Sequence, residues 1–161
     1  QVISHELTHT FFAYLTLHKA GRIRLNPDGS GGSMQLNGYG NWLISLSPYF
    51  FPLFAFLYML TMPYWIKVTD SHWLVYALLG YFLAYHWLVV LTQVHLKQTD
   101  LSQEGFIFSA MIIVGANLFT NGFVLAFNSK SWDGVYTFWH LVNKINMEYA
   151  EKICSLVAAY L

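Results

Sequence analysis

The sequence predicts an all-α polytopic membrane protein, with four to five transmembrane helices and a small β-hairpin after the first. Three observations predict it. Of 161 residues, 56% are hydrophobic and only 10% are charged, whereas a soluble domain carries about 25% charge. Residues 41–66, 71–96 and 105–129 contain no Asp, Glu, Lys or Arg, and about 20 apolar residues suffice to cross a bilayer as helix. Between the first two apolar segments the pattern switches to alternation around a turn. An ordinary soluble globule is excluded. So is a nucleic-acid binder with a basic surface, because eight Lys+Arg balance eight Asp+Glu without a basic block.

The elements follow in order. The first helix is expected over Gln1–His18, stopped by Lys19-Ala20-Gly21 with a cation in its last turn and Gly beyond. At 1.5 Å per residue it reaches roughly 27 Å, so it is expected to continue upstream, and the start without Met suggests a processed or truncated terminus. No signal peptide is visible. Arg22-Ile23-Arg24-Leu25 and Ser33-Met34-Gln35-Leu36 alternate on either side of Asn26–Gly32, which reads as a hairpin with a loose loop. Asn41–Pro63 is the second membrane helix, with Pro48 and Pro52 near its start, and Ser71 to about Leu96 is the third. A polar run, 97–105, precedes a fourth helix over Phe106–Phe127, where Asn117 and Asn121 share a face as interhelical hydrogen-bonding groups. Residues 1–128 form the expected membrane core. Residues 129–161 form a C-terminal helix, either amphipathic at the interface or a further span.

Lys19, Arg22, Arg24 and Lys97 fall on one side and Lys67 and Lys130 on the other. That bias places the hairpin and the 97–105 run in the cytoplasm. The lone Cys154 excludes an internal disulfide and any Cys-pair metal site.

His5-Glu6-Leu7-Thr8-His9 is an H-E-x-x-H motif. On a helix, positions i and i+4 share a face, so the two imidazoles can hold one zinc ion. Glu6 lies beside them, able to take a proton from an attacking water and return it to the leaving amine. Three ionisable groups within five residues of an apolar helix point to function. Zinc needs a third protein ligand. The candidates are Asp100, Glu104, His95, His86, Asp70 and His72. The last two lie on the opposite side in this topology, and Lys67 with Asp70 reads as a solvated loop. His86 and His95 also read as hydrogen-bonding or packing groups, and His18 and His140 as interfacial residues.

At this point the sequence resembles the site-2 protease family, and within it the compact M50B-type branch. The motif is followed by Ala13 and Gly21, then by a hairpin where the family has a cytoplasmic one. Leu43–Leu57, with Ser47-Pro48 and Pro52, is similar to the family's Ala-Gly-Pro helix. Asp100, with Gly105 nearby, falls at the family's Leu-Asp-Gly aspartate; Thr8 stands where the family usually has Gly. The resemblance implies a zinc endopeptidase acting within or near the bilayer on membrane-spanning substrates. It implies His5, His9 and Asp100 as metal ligands, Glu6 as base, and an edge strand, 33–36, holding substrate extended. His95 is the rival third ligand. On a straight helix His9 lies roughly 15 Å from the interface marked by Lys19. Asp100 therefore reaches it only if the 97–105 run folds back into the bundle, around a water-filled cavity. The competing readings are an inactive relative that binds or regulates, and a channel or transporter.

Overall fold

A computed structural model describes residues 2–25, 32–37, 40–95 and 98–160. The loop expected over 26–31 lies outside the described residues, as does Lys97. The elements are α1 (Val2–Leu15), β1 (Lys19–Leu25), β2 (Gly32–Asn37), α2 (Trp42–Leu46), a 3-10 turn (Ser47–Tyr49), α3 (Leu53–Val68), α4 (His72–Gln93), α5 (Thr99–Glu104) and α6 (Phe106–Tyr160). The chain divides into two compact units, 1–121 and 122–161.

Among the described residues, two helices are long and apolar enough to cross a membrane, and the α2–α3 pair makes a third span if it counts as one bent segment; the expected four to five spans are matched only in part. The described part of α1 has 14 residues, about 21 Å of helix. It stops before Lys19 because the chain turns at Leu17, whose φ is 61°. The His18 N–H then donates to the Ala13 carbonyl at 2.7 Å, a bond that closes helix ends without needing glycine. Gly21 is thus not the helix stop. It sits in β1 at an irregularity in the register, where a Cβ would lie 2.9 Å from the Gln35 carbonyl oxygen.

The hairpin is present as read, starting three residues earlier than the alternation indicated. β1 and β2 pair antiparallel with Ile23 opposite Met34 and Arg24 opposite Ser33. The second expected helix is broken instead of continuous. Asn41 caps α2 by accepting from the Ile44 N–H at 3.0 Å. Pro48 and Pro52 then interrupt the ladder, and α3 leaves at 76° to the preceding segment. Pro63 does not end α3, which continues to Val68.

Within the first unit, Phe12, Ala13, Ile44, Leu46 and Phe50 form the core beneath α1, and Tyr49, Leu101 and Ile113 form a second cluster beside it. Hydroxyls in α1 are absorbed by its own backbone: Thr8 and Thr10 donate to the Ser4 and Glu6 carbonyls, each at 2.8 Å. The outward face of α4 is apolar, with Leu74, Leu78, Tyr81, Leu88 and Leu91 exposed, a surface suited to lipid rather than water. In the second unit, α6 breaks at Lys130 and Ser131. Phe138 packs over Gly122, where a Cβ would meet its ring at 2.8 Å.

Candidate metal centre

The helical spacing of His5 and His9 puts both rings on one side of α1, where His9 and Glu6 are buried. The six-residue helix α5 brings Asp100 to the same point, so the polar run does fold back against α1. His5 Nε2 lies 3.0 Å from His9 Nε2, and Asp100 Oδ2 lies 3.4 Å from the first and 3.7 Å from the second. Ligand atoms about 2.0–2.1 Å from a tetrahedral zinc stand about 3.3–3.4 Å from one another. The three observed separations bracket that value.

The far side of each ring supports the same use. His9 Nδ1 is 2.8 Å from the Ile44 carbonyl oxygen, and His5 Nδ1 is 2.8 Å from Gln93 Oε1. Carbonyl oxygens only accept, so each imidazole donates from Nδ1 and turns an unprotonated Nε2 inward. Two lone pairs facing each other at 3.0 Å repel unless a cation sits between them. The Ile44 carbonyl lacks its regular helical donor, because residue 48 is Pro and has no N–H; it accepts from the Ser47 N–H and hydroxyl instead, and His9 joins them.

A carboxylate must be ionised to serve as a metal ligand, and Oδ2 of Asp100 is the oxygen that faces both rings. Tyr49 donates to the same Oδ2 at 3.0 Å.

Glu6 stands beside this cluster and lines the same cavity as Met34 of β2. Gly32 packs against it: a Cβ there would come within 3.1 Å of Glu6 Cγ and 2.8 Å of Val2 Cγ1. A cavity of about 550 Å³ opens over His5, Glu6, His9 and Asp100, within the range of ligand-binding clefts. One wall is the start of β2, from Gly32 to Met34. The opposite wall is polar, built from the end of α4 and from α5.

Among the described residues, His5, His9 and Asp100 are the group whose ligand atoms fall close enough for one ion. His95 lines the cavity but is outside that group, as is Glu104. His86 is buried and hydrogen-bonded to Asn117 at 2.9 Å. His72 faces the Ile66 carbonyl, His18 bonds Thr16, and His140 packs on Tyr136. Sequence reasoning missed Gln93, Tyr49, Gly32 and the Ile44 carbonyl. Pro48 was a usable signal for the last of these, since a proline within a helix always frees one carbonyl.

A family model described as Peptidase M50B-like matches residues 1–127. No curated protein and no solved structure matches the chain.

Proposed function

The chain belongs to the M50B-like peptidase family, and from that premise we propose that it is a membrane-embedded zinc endopeptidase that hydrolyses peptide bonds of membrane-spanning substrates. The family is generally zinc-dependent. His5, His9 and Asp100 would hold the ion, and Glu6 is the catalytic base. The observation that carries this reading is the inward convergence of two Nε2 atoms and one carboxylate oxygen, with both Nδ1 atoms committed to acceptors. When bound, zinc supplies a Lewis acid that polarises the scissile carbonyl and acidifies water to a pKa of about 7. Glu6 takes the proton from the attacking water and delivers it to the departing amide nitrogen.

The third ligand is tested by comparing Asp100→Ala with His95→Ala. Asp100→Ala is expected to lower zinc affinity sharply, and His95→Ala to leave it nearly unchanged, in titration against a competing chelator. The reverse pattern would transfer the role to His95.

Substrate lies along the outer edge of β2, which pairs only with β1 among the described residues and whose residues 32–34 line the cavity. An extended peptide there exposes its backbone to the base, and a helical substrate must unwind to reach it. Gly32→Ala pushes a methyl group onto Glu6 and narrows that edge. Turnover should fall by about 10- to 100-fold while zinc content stays at the wild-type level. Unimpaired cleavage by this variant would displace the substrate from β2.

The hairpin faces the cytoplasm, as the exposed Lys19, Arg22 and Arg24 on β1 favour. With Cys154 replaced by Ser, a cysteine placed at Arg22 should react with a membrane-impermeant maleimide only after cells are permeabilised. Labelling of intact cells would invert the topology.

A further inference from the structure

The break between α2 and α3 leaves backbone carbonyls without helical donors, and two of them are taken by side chains of α6. The Tyr49 and Phe50 carbonyls precede Pro52, where the ladder restarts. Asn117 Nδ2 donates to the Tyr49 carbonyl at 2.7 Å, and Thr120 Oγ1 donates to the Phe50 carbonyl at 2.7 Å. Asn117 Nδ2 also donates to the Ile113 carbonyl at 2.8 Å. Those two acceptors orient the amide, so its Oδ1 accepts from His86 Nε2 at 2.9 Å. Asn117 is 1% exposed and Tyr49 is 0% exposed.

Tyr49 is held at its backbone by α6, and its side chain ends at the metal centre. Its ring stands edge-on to His5, with centroids 5.2 Å apart. Its hydroxyl donates at 3.0 Å to Asp100 Oδ2, the same oxygen that faces both imidazoles. α5 has only six residues, too few to hold its own conformation in isolation, so the carboxylate needs an external reference.

We propose that Tyr49 is the positioning residue for the carboxylate arm of the site, and that Asn117 positions Tyr49. The proposal rests on the zinc-centre reading. A hydroxyl on one lone pair of Oδ2 leaves the other for an ion between Oδ2 and the two Nε2 atoms, which lie 3.4 and 3.7 Å away. Tyr49 thereby fixes which carboxylate oxygen is presented, and in which direction. Hydrogen-bond partners of metal ligands typically contribute a factor of about 10–100 in metal affinity.

The test is zinc titration of the purified full chain against a chelator, with Co²⁺ absorption as a second readout. It compares the wild type, Tyr49→Phe and Asn117→Asp. Tyr49→Phe keeps the ring against His5 and loses only the donor. It should bind the same number of ions about 10- to 100-fold more weakly, with altered Co²⁺ d–d bands. Asn117→Asp keeps an acceptor for His86 but no donor for the Tyr49 carbonyl, and it should also weaken binding. A merely structural role would lower the thermal midpoint of the metal-free protein and leave affinity and spectrum unchanged. Affinity within about threefold of wild type and an unaltered spectrum in Tyr49→Phe would overturn the proposal. If Tyr49→Phe does not fold, the same criterion applied to Asn117→Asp decides. A wild-type chain that binds no zinc would remove the zinc-centre reading itself, an outcome distinct from normal binding by both variants.

Discussion

Glu6→Gln is expected to retain about one zinc per chain and to lose peptide-bond hydrolysis by about 10²- to 10⁴-fold. The substitution preserves the shape of the side chain, and Glu6 is not among the groups that converge as ligands. Only its capacity to take and return a proton goes. Metal analysis and cleavage of a membrane-spanning reporter, run on the same preparation, check both halves. Near-normal cleavage by Glu6→Gln would place the base elsewhere. Loss of zinc together with activity would make Glu6 a ligand and not a base. The same assay separates an active peptidase from an inactive relative, because a binding protein would show no difference between wild type and variant.

His9→Ala should reduce bound zinc from about one per chain to near zero, and His5→Ala should do the same. Each ring contributes one of three protein ligands, and the remaining pair, one imidazole with one carboxylate, is a weak chelate. His9→Ala carries a further cost. It strips the Ile44 carbonyl of its imidazole donor, although Ser47 Oγ still donates there at 2.9 Å, so the core beneath α1 is expected to persist. Elemental analysis after dialysis measures the loss. Full occupancy in either single variant would remove these histidines from the centre.

Local patterns were legible in the sequence. Four-residue spacing on a helix fixes a shared face, so the proximity of His5 and His9 followed from the motif. Alternation on both sides of a turn-forming run sufficed for the hairpin. Asp100 was harder. Nothing in its neighbours Thr99 and Leu101 marks it, and only the order of elements in the family directed attention to it over His95. The shape of the second apolar segment was not legible, because charge-free length says nothing about where a segment bends. Residues 41–66 contain no charge, yet Pro48 and Pro52 divide them into segments 76° apart. The end of α1 was misplaced because Leu17 adopts a backbone conformation that its side chain does not advertise. Gln93 and Tyr49 were invisible for a different reason. Neither carries a pattern of its own, and the role of each exists only once distant elements have packed.

The centre draws on α1 through His5 and His9 and on α5 through Asp100, far apart in sequence. An ion held there therefore acts as a removable rivet across a loop of about ninety residues, tying together segments whose contact is otherwise costly in chain entropy. Such a rivet contributes about 4 kcal/mol when the free ion exceeds its dissociation constant a thousandfold. It does so at one spot, leaving the apolar packing of α3 against α4 to lipid and side-chain contacts. If the centre holds zinc, its folding and that of the apolar helices answer to different variables, metal supply for the first and the bilayer for the second. A chain inserted in a zinc-poor cell is then expected to be anchored but slack around His5, His9 and Asp100.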